Sequence, residues 1–497
     1  MNFWQVPAHH AATRPDAIAL RFEGDVLTFA QLAGRSSRVA ALLWHGWGVR
    51  GGDRVAWLGL NHPDQLVLLF ALARIGAMLL PLNVRLAPVE LQGQLLDCRP
   101  AHLVQGPGWA TQATDLGARC DVEVHALDAL DEALAMPAPE TGEPDSSALL
   151  VYTSGTTGAP RAAVHTQANL LANMRIAAQV QQLTAQDKVL TVLPLFHVGG
   201  LCIQTLPALY AGASVTLHPR FSADATLAAL AQERPTLTLQ VPATMKALIE
   251  HAHWRQADLS CLRAVWAGSS VLPDALVRAF LDRGVPLCNV YGATETGPFS
   301  IALPAQSAHH HPGSCGWPAP GVDVMLIDLQ QGIGELLVRG PNVVERYWPD
   351  QPACDDEGWF HTGDLATRAA DGSYTVVGRA RDLIISGGEN IHPLEIETAL
   401  AGHPAVAECA AFGLPDPRWG EVVAVAVVLR GEAKLSAAAL AQHLEGRLAR
   451  FKLPRRVFFV EALPRTALGK LQRQALADMA ISKAWVLGQI PDDDSAR

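Results

Sequence analysis

The segment Leu150-Val-Tyr-Thr-Ser-Gly-Thr-Thr-Gly-Ala-Pro-Arg-Ala-Ala163 concentrates groups that bind an anion. An apolar run enters Gly155 and Gly158, with Ser154, Thr156 and Thr157 among them and Arg161 just beyond. Glycine lets the backbone turn and approach a ligand closely, so successive N–H groups can converge on one oxygen-rich group. The hydroxyls add short donors and the guanidinium a fixed positive charge. The combination reads as a phosphate cradle, with a Gly-rich surface turn as the plainer alternative. It is not the Gly-x-x-x-x-Gly-Lys-Ser/Thr loop, because the glycine spacing differs. Glu295, in a Gly-rich turn, reads by itself as a solvated loop carboxylate. Lone histidines such as His197 and lysines such as Lys470 take on chemistry only in context.

These groups must be carried by regular elements. Residues 18–27 read as two short strands around a Gly24-Asp25 turn, and Thr28 with Gln31 is a capping-box start for a helix. Residues 54–60 suit a strand and 63–75 the helix that follows it. Continued alternation predicts α/β layers with parallel-rich sheets. The most apolar stretch, 66–84, is broken by Arg74, Gly76 and Pro81, so it reads as a buried helix and a strand rather than a membrane span. After 378 come strands at 383–385, 422–429 and 457–460 and helices at 393–401 and 436–448. The expected organisation is a large N-terminal α/β domain (1–378), a small mobile α+β C-terminal lid (379–485) and a flexible tail (486–497).

Composition excludes several classes. The 497 residues carry 38 Lys plus Arg against 48 Asp plus Glu, a net charge of −10, which disfavours nucleic acid as a general partner. The eight cysteines form no Cys-x-x-Cys pair, so zinc and dithiol readings of them fail and a reducing cytosol is expected. The N-terminus lacks a basic start and an apolar core, so no secretory signal is read. His309-His310-His311 has no second ligand set at helix spacing and reads as a solvated loop.

The cradle segment resembles the signature loop of the adenylate-forming superfamily, which includes acyl- and aryl-CoA synthetases, luciferases and adenylation domains. Leu193-Pro-Leu-Phe-His-Val198, Asn289-Val-Tyr-Gly-Ala-Thr-Glu-Thr-Gly297 and Gly358-Trp-Phe-His-Thr-Gly-Asp364 follow in the family's order. Gly378-Arg-Ala-Arg-Asp-Leu-Ile-Ile-Ser-Gly-Gly-Glu-Asn390 and Pro464-Arg-Thr-Ala-Leu-Gly-Lys470 complete it. The resemblance spans residues 5–480 and implies an ATP-dependent carboxylate–CoA ligase. A carboxylate is a poor electrophile; joining it to the α-phosphate of ATP makes an acyl-adenylate from which AMP leaves readily.

The resemblance also implies roles. Thr153, Ser154, Gly155, Thr156, Thr157 and Gly158, with Arg161, hold the β- and γ-phosphates. Thr294 donates to the α-phosphate and Glu295 holds Mg2+. Gly268, Ser269, Asn289, Tyr291 and Gly292 line the adenine pocket, and Asp364 accepts from the ribose hydroxyls with Arg379 nearby. His197 orients the substrate carboxylate and Lys470 stabilises charge at the α-phosphate. Arg381 is the hinge, and Gly387, Gly388 and Trp419 receive coenzyme A, with Phe451, Lys452 and Arg455 as further contacts. Family loops read Pro-Lys-Gly where this chain has Pro160-Arg161-Ala162, which keeps the charge and alters its hydrogen-bond geometry.

His197 to Gly200, Val241, Ala267, Gly292 and Phe299 to Ile301 are expected to border an apolar acyl pocket suited to an aromatic or medium-chain acid. The partners implied are that acid, ATP and CoA, and the chain could also pair as a homodimer. The rivals are an adenylation enzyme serving a separate carrier protein, a luciferase-like oxygenase, and a nucleotide-binding protein without catalysis.

Overall fold

The computed structural model describes residues 1–132, 134, 136–153, 160–268, 272–386, 389–445, 447–466, 471–482 and 487–489. The chain divides into two compact units. The first holds 1–325, 337–362 and 370–374; the second holds 326–336, 363–369 and 375–497. The boundary expected at 378/379 falls in the strand Tyr374–Arg379.

Two sheets build the first unit. One runs in the order 351–352, 346–347, 161–166, 147–153, 78–81, 54–58, 102–105, 123–125. Its strands from 147–153 to 123–125 pair parallel, and the strands beyond 147–153 on the other side pair antiparallel. The second sheet runs 317–318, 301–302, 287–291, 264–268, 237–240, 188–191, 214–217, 18–22, 25–28 and is parallel through its interior. Strands covered on both faces need no polar alternation, and Val55 to Leu58 are all fully buried.

The local signals act as anticipated. Thr28 and Gln31 exchange hydrogen bonds of 3.2 and 2.8 Å at the start of the helix Phe29–Ala41, a cap worth about 1 kcal/mol. The helix Pro63–Arg74 begins with proline where its missing N–H costs nothing, and it is buried from Asp64 to Ala73. The strand Met78–Pro81 follows. No helix among the described residues is long and apolar enough to cross a membrane. One turn shifts by a residue: positive φ at Glu23 (48°) and Gly24 (94°) puts the bend there, with Phe22 paired to Asp25. A two-residue hairpin turn with both centres left-handed matches the strand twist.

The second unit is α+β. Helices Pro393–Ala401, Ala437–Leu444 and Arg473–Ile481 accompany a six-stranded sheet. Ser436 caps the second helix, accepting from the Ala439 N–H at 3.2 Å. That helix stops at Leu444, short of the expected 448. The 11-residue strand Val406–Asp416 was not anticipated; it pairs along its length with Gly420–Leu429. Leu487–Gln489, inside the stretch read as tail, pairs antiparallel with Arg456–Phe459.

Candidate functional site

Two antiparallel strands flank the signature loop. Ser147–Thr153 and Arg161–Thr166 pair, with Thr153 opposite Arg161 as the last pair before the residues that connect them. Ser154, Gly155, Thr156, Thr157 and Gly158 lie outside the described residues. Thr166 caps the following helix, Gln167–Val180, by accepting from Asn169 N–H at 3.1 Å, which fixes the far end of the strand pair.

Arg161 anchors a buried polar chain. Its guanidinium lies over the Tyr347 ring, 4.1 Å from the centroid. Its Nε is buried and has no hydrogen-bond partner among the described residues. The Tyr347 hydroxyl donates to Glu295 Oε1 at 2.9 Å, and both residues are buried. Burial, reinforced by the Glu295 carboxylate, pushes the Tyr347 hydroxyl well above its usual pKa, so it remains a donor. Tyr347 is positioned by pairing with Ala163 and by a 2.8 Å bond from Trp348 N–H to the Ala162 carbonyl. Sequence reasoning missed it. Its only visible sign was a Tyr-Trp pair in a polar stretch.

Glu295 sits in the tight turn Thr294–Thr296. The Thr296 hydroxyl accepts from Ala293 N–H at 2.9 Å, Val344 N–H donates to the Glu295 carbonyl at 2.8 Å, and Asn342 Nδ2 to the Thr296 carbonyl at 2.6 Å. Gly292 is required by close approach, since a Cβ there would lie 1.8 Å from the Pro298 carbonyl oxygen. No ion-pair partner faces Glu295 among the described residues. A buried carboxylate held by one phenol suits a hard divalent cation, which would supply the missing positive charge.

Neighbouring parallel strands deliver the other groups. Gly268 ends Ala264–Gly268 and lies opposite Val290, one residue before Tyr291 and two before Gly292. Ligands of open α/β sheets bind at this carboxyl edge of the strands. Ser269 lies outside the described residues. Asn289 is buried, and its Nδ2 donates to the Ser314 carbonyl at 3.2 Å, so it fixes the 314–315 backbone beside the strand.

His197 caps the turn that begins at Val198, its Nδ1 accepting from Gly199 N–H at 3.0 Å. In the neutral ring this places the proton on Nε2. Gly200 admits no side chain, because a Cβ would lie 2.3 Å from the Pro194 carbonyl oxygen. Phe299, Ser300 and Ile301, expected on the acyl-pocket wall, are fully buried, with Phe299 packed on Trp266 at 5.7 Å. Ser300 Oγ has no hydrogen-bond partner among the described residues, and Ile301 lies in the strand Ile301–Ala302 between two neighbouring strands.

In the second unit Arg379 Nε pairs with Asp364 Oδ1 at 2.9 Å, which joins the two residues expected at the ribose. Arg381 is about half exposed and 3.7 Å from Asp382. Lys470, Gly387 and Gly388 lie outside the described residues. Arg473, just after Lys470, is anchored by Glu397, the Ala411 carbonyl at 2.8 Å and Asp382 at 3.3 Å. Trp419 carries two guanidinium groups over its ring, Arg418 at 5.0 Å and Arg455 at 4.9 Å. Lys452 is engaged by Glu395.

A model of the AMP-binding enzyme family matches residues 7–348, and one of the AMP-binding enzyme C-terminal domain matches residues 395–470. The chain is 43% identical to an indoleacetate–CoA ligase of Aromatoleum aromaticum, over 96% of this chain and 98% of the relative. It is 40% identical to a feruloyl-CoA synthase of an Amycolatopsis species, over 94% and 96%. The o-succinylbenzoate CoA synthetase of Bacillus subtilis, solved with its acyl-adenylate intermediate, superposes with a TM-score of 0.87 at 31% identity, covering 96% of this chain and 98% of that one.

Proposed function

From the chain's membership of the AMP-binding enzyme family, as one of its acyl- or aryl-CoA ligases, we propose that it activates an aromatic carboxylic acid and transfers the acyl group to coenzyme A. The observation that carries the substrate class is full-length identity of 40–43% to ligases named for indoleacetate and ferulate. Of the two acid classes expected from the sequence, this favours the aromatic one, and free CoA over a carrier protein. Eight free thiols and no long apolar helix among the described residues suit a cytoplasmic setting.

In the first half-reaction a carboxylate oxygen attacks the α-phosphorus. The bond to the bridging oxygen breaks, and pyrophosphate leaves with the electron pair. Loop residues 153–158 and Arg161 receive the departing phosphates. Arg161 is suited to this because its Nε donor has no partner among the described residues. Glu295, oriented by Tyr347, would hold Mg2+, which when bound neutralises phosphate charge. Thr294 donates beside it. His197, its ring held by Nδ1 accepting from Gly199 N–H, orients the substrate carboxylate. Asp364 and Arg379 serve the ribose, and Lys470 stabilises the charge that builds on the α-phosphate.

In the second half-reaction the CoA sulfur attacks the acyl carbon, AMP leaves with the bonding pair and the thiol proton passes to solvent. The lid assignment belongs to this step: rotation about Arg381 exchanges Lys470 for the Gly387–Gly388 segment, and Trp419 with its two arginines meets the nucleotide end of CoA. Single turnover with an 18O-labelled carboxylate tests the chemistry. One 18O in the AMP is expected; unlabelled AMP, or release of ADP, overturns it.

A further inference from the structure

At the far edge of the eight-stranded sheet, three metal-binding side chains share one face. His102 opens the strand His102–Gln105, and Glu123 and His125 lie two apart on the neighbouring edge strand. Residues two apart on a strand point to the same side. The parallel register sets His102 opposite Glu123 and Val104 opposite His125. Their ligand atoms converge. His102 Nδ1 is 3.0 Å from His125 Nε2 and 3.5 Å from Glu123 Oε2, and His125 Nε2 is 3.8 Å from Glu123 Oε1.

We propose that His102, Glu123 and His125 form a binding site for a borderline divalent transition-metal cation, with Zn2+ the best match. Metal–nitrogen bonds of 2.0–2.1 Å at a tetrahedral centre set ligand atoms about 3.3 Å apart. The two ring nitrogens, now sharing a hydrogen bond at 3.0 Å, lie just inside that value, and each faces a different Glu123 oxygen at 3.5 or 3.8 Å, with one ligand atom from each residue falling within 4.8 Å of the others. A cation would replace the shared proton and draw one carboxylate oxygen inward. Two imidazoles and one carboxylate select Zn2+ and its neighbours over Mg2+ or Ca2+, which prefer all-oxygen shells.

The surroundings prepare the ligands. His102 Nε2 must donate to the Trp47 carbonyl, 3.0 Å away, because that oxygen can only accept. In the neutral ring this leaves the Nδ1 lone pair facing the other two ligands. A backbone carbonyl fixing the distal ring nitrogen is the usual outer support of a histidine ligand. The Trp47 ring also stacks on His125, with centroids 3.6 Å apart and planes at 11°. The two histidines are therefore oriented in advance, while Glu123 is largely exposed and leaves a fourth position open to water. The cation would tie the edge strand Glu123–His125 to its neighbour, away from the motifs that serve ATP.

The test is equilibrium dialysis of the full-length, EDTA-treated protein against ZnSO4 without ATP or Mg2+, paired with Co2+ absorption. One Zn2+ per chain and the visible bands of four-coordinate Co2+ are expected. His125→Gln should weaken Zn2+ binding by at least the roughly 100-fold that loss of an outer support can cost, and Glu123→Gln should weaken it with the fold intact by circular dichroism. If His125→Gln fails to fold, Glu123→Gln, whose side chain is at the surface, decides. Absence of Zn2+ binding, or affinity unchanged in the folded variants, overturns the proposal.

Discussion

Tyr347→Phe isolates one hydroxyl in the buried chain from Arg161 to Glu295. The ring is retained, so Arg161 keeps its face-on contact at 4.1 Å, while the 2.9 Å bond to Glu295 Oε1 is lost. Hydrogen bonds to charged groups are worth about 1.5–3 kcal/mol. At about 1.4 kcal/mol per decade, full use of that bond in orienting Glu295 for adenylation predicts a fall of about 10- to 150-fold in kcat/KM for MgATP. Acid-dependent ATP–pyrophosphate exchange reads this directly. Conversion of supplied acyl-AMP to thioester should change little, because the phosphates have already left. A double-mutant cycle with Glu295→Gln should show that the two changes are strongly non-additive. Tyr347→Leu should cost more than Tyr347→Phe, since the cation–π contact goes as well. Exchange within twofold of wild type in Tyr347→Phe, with Glu295→Gln severely impaired, would refute the claim that the phenol positions the carboxylate.

Three further outcomes follow from particular residues. His165 is fully buried with neither ring nitrogen bonded among the described residues, and burial pushes its pKa down to about 4; the unfolded chain therefore takes up a proton first, and stability falls by roughly 3 kcal/mol as pH drops from about 6.5 to about 4. Denaturant unfolding should show that component missing in His165→Leu, and an unchanged pH dependence would count against it. Gly292→Ala places a methyl 1.8 Å from the Pro298 carbonyl oxygen, so pyrophosphate exchange should fall by at least an order of magnitude as the Thr294–Glu295 turn shifts; wild-type exchange would mean the turn yields freely. Lys470→Ala should abolish exchange yet still convert supplied acyl-AMP to thioester, and loss of both half-reactions in a folded variant would contradict the division of labour.

The features legible in the sequence were those whose physics is local. The Thr28–Gln31 cap, the proline-led helix at Pro63 and the apolar strand that enters the signature loop each depend on residues within a few positions of one another. The strand Val406–Asp416 escaped notice because Ala410, Ala411, Gly413 and Pro415 give it little β-character. Its pairing with an apolar neighbour supplies what propensity lacks. Tyr347 joins Glu295 across 52 residues, and His102 meets His125 only through strand register. Neither contact has a periodic signature.

The account's central claim is that this chain makes aryl-CoA thioesters through an adenylate. A panel of aromatic, short-, medium- and long-chain acids, scored by AMP release with ATP, Mg2+ and CoA all present, tests it most directly. The predicted result is AMP and thioester formed in equal amounts, dependent on both acid and CoA, with kcat/KM highest for an aromatic acid. Highest kcat/KM for an aliphatic acid would contradict the substrate class, and thioester formed without AMP would contradict the mechanism.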